Sequence, residues 1–434
     1  MSRSVRISLL VMLAASLMSA CTRGTTSDSG DPSTTGQTPT TLQPPTGKLT
    51  GMQGTTPRSV STGTFDERLK EVAPALIDTS YAAEAYDSVV VVGLAVEVAH
   101  SDAPGRFTNE IPGVTSDGAR CTGWLSCQEL AARPANIDYD GVSGGIEMQA
   151  TGVPGEGSFA VMKFDQNDKL VRQSIESAQA PPPTVQVPMV DPTLGPPADG
   201  ELKIGMLLPT RGSNAALGAA ERAGVRLAVK EINAAGGVLG RPITLVDGDE
   251  SSDLTSTAAT LLSKGVDAIV GPATSDDVAP IVDQVTGAGV VLISPSASSG
   301  SLTSLLDHGR FFQMSPSDAL QGQVLADVAA GDGITSAVVM AQKGTYGQGA
   351  AFDFAQAFKA KGGTVASVIT FDPNSLDPNA VSAALATKST AMVLFGDNQP
   401  VGQIITSLST AGKGPDQMPY YMGNISAALP QFVH

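Results

Sequence analysis

The chain has 434 residues, 41% of them hydrophobic and 16% charged, with 47 glycines, 3 histidines and a formal charge of −16. That length suits two or three domains or one large two-lobed unit. The acidic balance excludes nucleic acid as a partner, because phosphate binding needs a basic surface, and three histidines leave little for a histidine metal site or a catalytic triad.

The amino terminus reads as an address. Arg3 and Arg6 precede an apolar run, Ile7 to Ala20, that is short for a membrane span. Ser19 and Ala20 then lead into Cys21. This pattern resembles a bacterial lipoprotein signal, which implies that Cys21 is lipidated and becomes the first mature residue; Met18 stands where that signal usually has Leu. The other reading is an ordinary signal peptide followed by a chance cysteine. Residues 1–20 are therefore expected to be a signal peptide, and residues 21–47, rich in Ser, Thr, Pro and Gly, a disordered tether. No later segment is apolar and long enough to be a transmembrane helix. The rest is expected outside the cytoplasm, on a membrane through lipid on Cys21.

Cys121 and Cys127 follow in "RCTGWLSCQEL". Export places them in an oxidising compartment, which favours a structural disulfide. A metal site would need more ligands, and a reactive pair would suit a different spacing. Residues 176–200 are Pro-rich and read as a linker.

From residue 201 the pattern becomes regular. Strand-like runs, from "KIGMLLP" through "PITLVDG", "DAIVG", "VVLISP", "SAVVMAQ", "TVASVITF" and "AMVLFG" to "MPYYMG", alternate with helical segments. In "GAAERAGVRLAVKEINAAGG", Ala223, Leu227, Val229 and Ile232 mark a buried face, and Gly236 and Gly237 supply a stop. Strand then helix, repeated, predicts an α/β fold with doubly wound, mostly parallel sheets. Ligands bind such sheets outside the carboxyl ends of the strands.

The segments "AGVRLAVKEINAAGGVLGRPITLVDGDESSD", "AIVGPATSDDVAPIVDQVTGAGVVLISPSASS" and "KGTYGQGAAFDFAQAFKAKGGTV" resemble, in order, the type I periplasmic solute-binding proteins of ABC transporters, in the leucine/isoleucine/valine-binding group. The resemblance implies two α/β lobes that close on a small ligand. It stops at "PYYMGNISAALPQFVH" and resumes near the amino terminus. There "LTGMQGTTP" resembles the strand that normally follows "YYMGN", and "FDERLKEVAPAL" and "SYAAEAYDSVVVVGLAVEVA" resemble late helices. "IDYDGVSGGIEM", "GSFAVMKFD" and "KLVRQS" resemble closing strands. The order implied is a circular permutant. Residues 48–175 supply the family's carboxyl-terminal third, 201–316 the first lobe and 317–434 the second, with "SAALPQFVH" a helix between neighbouring strands.

The same resemblance places ligand contacts at Ser275, Ser296 (through its backbone) and Ser298 in the first lobe. Tyr346 is placed as an aromatic wall in the second. Where amino-acid binders can offer a carboxylate to a ligand ammonium this chain has Asn424-Ile425, and Asp397, also at a strand's carboxyl end, is the candidate substitute. Plain readings stand beside these: helix capping by Thr274 or Ser275, a Ser-rich turn, ordinary packing of Tyr346 and a solvated Asp397. Leu217 occupies a position where several relatives have an aromatic residue. Other motifs fail. "DGDESSD" lacks the Gly and closing Glu of a calcium loop, "GTYGQG" lacks the Lys-Ser/Thr of a phosphate loop, and no nucleophile has a base at a workable spacing. No enzyme activity and no cofactor are expected. Two functions remain: a solute receptor for an ABC permease, and a sensor or regulatory lipoprotein that uses the fold to bind a membrane or cell-wall partner.

Overall fold

The computed structural model describes residues 47–57, 63–133, 136–180, 190–375 and 377–433. The signal, all but the last residue of the tether, Cys21, linker residues 181–189 and His434 lie outside them. No helix among the described residues is long and apolar enough to cross a membrane.

Two sheets organise the chain. The first is five-stranded, in the order Phe311–Gln313, Val291–Ser294, Ala268–Val270, Lys203–Leu208 and Thr244–Asp249, and every pair is parallel. Val291–Ser294 and Ala268–Val270 are buried at every position, as expected of strands covered on both faces. The second sheet has seven strands, in the order Thr364–Phe371, Ser336–Gln342, Ala391–Phe395, Tyr420–Gly423, Gln53–Pro57, Glu156–Phe164 and Leu170–Gln179. Its first five run parallel, and the last two add an antiparallel hairpin.

The join between Gln53–Pro57 and Tyr420–Gly423 unites the two ends of the described chain. Gln53 faces Tyr421 and Thr55 faces Gly423. Ile425 N–H then donates to the Thr55 carbonyl at 3.0 Å. Gly54 makes the approach possible, since a methyl group there would lie 2.4 Å from the Met422 carbonyl oxygen.

A second join lies in the first lobe. The helix Ala215–Ala234 buries Ala223, Leu227, Val229 and Ile232. It ends at Gly236 and Gly237, both with positive φ, where the Gly237 N–H reaches back to the Ile232 carbonyl at 2.9 Å. Against it packs the helix Ala82–Ala99, buried at every position from Ala82 to Val96. A helix with nearly every side chain buried belongs inside a core. Gly224 sets the spacing, because a methyl there would sit 2.1 Å from the Ala82 carbonyl oxygen.

Some boundaries differ from expectation. The strand Leu170–Gln179 runs four residues past position 175, since its hairpin partner extends far enough to pair Glu156 with Gln179. The segment "IDYDGVSGGIEM" is a strand only at Ile137–Tyr139, which pairs in parallel with Ala119–Cys121. Beyond it the backbone N–H groups of Val142 and Ser143 donate to the buried Asp87 carboxylate rather than to a ladder. The expected last helix is a single 3₁₀ turn, Leu429–Phe432, with Pro430 in its first turn. Phe311–Gln313, a three-residue strand, escapes sequence patterning altogether. Cys121 and Cys127 form a disulfide that ties the helix Trp124–Ala131 to the strand before it.

Candidate ligand-binding cleft

A cavity of about 480 Å³ lies between the two sheets, at the carboxyl ends of their strands. First-lobe strands deliver Leu217, Thr274, Ser275, Ser296 and Ser298; second-lobe strands deliver Gln342, Asp397 and Asn424. All five candidate contacts, Ser275, Ser296, Ser298, Tyr346 and Asp397, line this one cavity. Leu217 lines it too, so its wall there is aliphatic.

The serines are not equivalent. Thr274 caps the helix Ser275–Val278, its Oγ1 accepting from Asp277 N–H at 3.2 Å. Capping is thus assigned to Thr274, and Ser275 is left for something else. The helix is only four residues long, too short for a dipole that would favour an anion at Ser275. What fixes Ser275 is its oxygen, which accepts from the N–H groups of Ser298 and Ser299, both at 3.2 Å. A hydroxyl has two acceptor lone pairs and one proton. Both lone pairs are filled, so Ser275 has only its proton to offer.

Ser296 is spoken for differently. Its hydroxyl lies between the Glu221 carboxyl and the Ala273 carbonyl, the latter 2.6 Å away. Whichever accepts, no proton remains for a ligand. Ser298 donates to Asp318 Oδ1 at 2.7 Å, so it turns an oxygen, not a proton, to the cavity. Burial pushes the carboxyls of Glu221 up to about 8 and Asp318 up to about 7; each is lowered in part by its serine.

Asp397 exchanges two hydrogen bonds with Gln342: Gln342 Nε2 donates to Asp397 Oδ2 at 3.0 Å, and Asp397 N–H to Gln342 Oε1 at 2.9 Å. It is a positioned carboxylate rather than a solvated one. Burial raises its pKa, with Asp276 and Asp277 adding to the effect. Tyr346 lies in the first turn of the helix Thr345–Ala360, its phenol held well above its ordinary value by burial. Among the described residues lining the cavity there is no Lys, Arg or His, whereas Asp78, Asp276, Asp277 and Asp397 all reach it.

The two walls also touch directly. Asp276 of the first lobe accepts from Thr345 N–H of the second at 2.5 Å, and Ser426 Oγ donates to Asp78 at 2.5 Å. Sequence reasoning missed Gln342, Asp78 and Tyr81. Gln342 was findable as the last residue of a strand in a parallel sheet. Asp78 sits in a loop that no pattern marks, and Tyr81, at the start of a segment read as helix, carries no sign of a left-handed backbone.

A periplasmic binding protein family model matches residues 201–430, more than half of the chain. The chain belongs to this family, a family of binding proteins rather than enzymes. It is 29% identical over 220 residues to the Leu/Ile/Val-binding protein BraC3 of Rhizobium johnstonii, covering 48% of this chain and 58% of that one. It is also 29% identical over 216 residues to the leucine-, isoleucine-, valine-, threonine- and alanine-binding protein of Pseudomonas aeruginosa, covering 49% and 58%. Among solved structures it is similar to the branched-chain amino acid transporter substrate-binding protein LivJ from Streptococcus pneumoniae in complex with isoleucine, at 32% identity and a TM-score of 0.46, covering 51% and 64%. The matched region spans 58% of the length of these curated relatives.

Proposed function

We propose that the protein is a lipid-anchored, extracytoplasmic solute-binding protein that captures a small polar ligand between its lobes and delivers it to an ABC permease. The ligand is an amino acid, an amide or a related carboxylate. One observation carries this reading: a single cavity has a free serine proton on one wall, at Ser275, and a positioned carboxylate, Asp397, on the other. A zwitterionic amino acid meets both demands, with its carboxylate on Ser275 and its ammonium on Asp397. The ligands in the relatives' names support the same class. A sensor or regulatory role would be favoured by a cleft filled with side chains, and the open volume of about 480 Å³ speaks for capture instead.

The chain order belongs to the proposal. The parallel register of Gln53–Pro57 on Tyr420–Gly423 supports a circularly permuted fold, in which residues 48–180 complete both lobes begun after residue 201.

A thermal-shift screen of amino acids, amides and short organic acids tests the ligand class. A ligand at one hundred times its Kd adds about 2.7 kcal/mol of stability. Calorimetry on Ser275→Ala then tests the site. Loss of a hydrogen bond to a charged group costs roughly 1.5–3 kcal/mol, an affinity loss of about ten- to a hundredfold. Undiminished affinity would remove Ser275 from the site.

A further inference from the structure

Tyr81 is the residue immediately before the helix Ala82–Ala99, and it lines the cavity. Three features set it apart. Its backbone is left-handed, with φ 61° and ψ 6°, a conformation costly for a bulky side chain. Its side chain does not cap the helix it precedes. Its hydroxyl oxygen is shielded from solvent, and no described residue hydrogen-bonds to it. Buried tyrosine hydroxyls ordinarily find a partner.

The strain is held from three sides. The Tyr81 carbonyl accepts the first helical bond, from Ala85 N–H at 3.0 Å. The helix Ala215–Ala234 crosses against Ala82, with only a glycine, Gly224, at the contact. The preceding loop is fixed by Asp78, which accepts from Ser80 N–H at 3.0 Å and Ser80 Oγ at 2.6 Å, and from Ser426 of the opposite lobe. Strain maintained this firmly at a ligand cleft is a mark of function. The consequence is placement, because a right-handed residue here would aim the ring elsewhere.

We infer that the Tyr81 hydroxyl is a ligand contact, a second first-lobe O–H donor beside Ser275, and that the two together hold the oxygens of a ligand carboxylate. The inference rests on the binding reading above. Ser275 can only donate, because two amides fill its oxygen. Tyr81 also acts as a donor: burial, with Tyr346, Glu84, Asp318 and Glu221 nearby, keeps its phenol protonated far above neutral pH. With no described Lys, Arg or His on the cavity wall, hydroxyl protons take the place a guanidinium would fill. The geometry therefore selects a carboxylate ligand over its amide, since an amide puts a donating NH2 where the carboxylate has its second oxygen, against a donor hydroxyl.

The test is Tyr81→Phe, which keeps the ring and removes only the hydroxyl. Two readouts are needed: calorimetry with L-leucine, L-isoleucine, L-threonine and L-leucinamide as probes, and melting of the ligand-free protein. The expected result is an amino-acid affinity weakened about ten- to a hundredfold, the effect of one hydrogen bond to a charged group. Wild-type preference for leucine over leucinamide should narrow by a similar factor, with the free protein melting no lower than wild type. Unchanged affinity overturns the inference. So does a fall of several degrees in the free protein, which would give the hydroxyl a partner within the fold. If no probe binds the wild type, the amino-acid reading and the carboxylate role fall together. If a probe binds and Tyr81→Phe leaves it untouched, only the role of Tyr81 falls.

Discussion

The two lobes are assembled in opposite ways. The five-stranded sheet comes entirely from one stretch of chain, residues 203–313, yet its major helix is covered by another helix from residues 82–99. The seven-stranded sheet takes four strands from residues 336–423 and three from residues 53–179. In one lobe the early segment supplies a lid of helices; in the other it supplies the sheet itself. The first seam is mainly apolar side-chain packing, with polar contacts such as those of Arg68 and Tyr86 with Glu231, and the second is backbone hydrogen bonding across a parallel pair. A long chain separation is tolerated in both because each seam is closed by burial and not by local sequence.

The largest way to break this arrangement is to remove the early segment. Residues 201–434 expressed alone would leave Tyr420–Gly423 as an open edge, with Tyr421 and Met422 exposed, and would uncover Ala223 and Leu227 of the first-lobe helix. Exposed parallel edges template aggregation. We expect an insoluble or molten fragment, restored to cooperative unfolding by co-expression with residues 48–180. A soluble fragment that unfolds cooperatively by itself would refute the permuted assembly.

Next in size are the two seam glycines. An alanine at Gly224 would press on the Ala82 carbonyl, and an alanine at Gly54 on the Met422 carbonyl and the Ile425 side chain. Overpacking of this kind costs about 1–3 kcal/mol. Gly224→Ala and Gly54→Ala should each lower the melting temperature by several degrees, whereas Gly236→Ala meets no neighbouring atom and suffers only its positive φ of 110°. Equal melting temperatures for all three variants would show that close approach does not govern the seams.

The disulfide is expected to matter less. It closes a loop within the first-lobe lid, between residues six apart in sequence. Chain entropy assigns about 3 kcal/mol to a 15-residue loop and less to a shorter one. Cys121→Ser with Cys127→Ser should therefore cost about 2 kcal/mol, read from denaturant midpoints. Alkylation of either native cysteine without reductant would show that the bond is not formed.

How much of this was legible depends on the seam. The alternation of strands and helices after residue 201 follows from periodicity, and the rule that ligands sit past strand carboxyl ends pointed to the loops there and to Asp397; Ser275, Ser296, Ser298 and Tyr346 came from likeness to the family. The placement of residues 48–175 came from likeness to family segments, because "LTGMQGTTP" has no pattern that names its partner strand. Hydrogen-bond direction was also hidden: sequence shows three serines near a cleft but not that Glu221 and Asp318 engage two of them. Tyr81 was illegible because left-handed backbone at a tyrosine is imposed by packing on Gly224, 143 positions away.

Taken per pH unit, the smallest expected effect is a slope, and it sharpens the contrast between the seams. The first-lobe seam carries two buried carboxyls, Glu84 from the early helix and Glu221 from the late one, both pushed up to about 8 by burial. The charge of Glu84 adds to the shift at Glu221. An unfolded glutamate titrates near 4.3. Between that value and about 8 the folded protein holds a proton the unfolded chain has released. Stability from this group is therefore present at low pH and declines as pH rises, by at most about 1.4 kcal/mol per unit for one carboxyl. Glu221→Gln removes the titration while keeping an acceptor for Ser296. The variant should match wild type near pH 5 and melt higher than wild type above pH 8. Parallel melting curves across that range would mean Glu221 is ionised in the fold, and that the seam holds its charge by some other means.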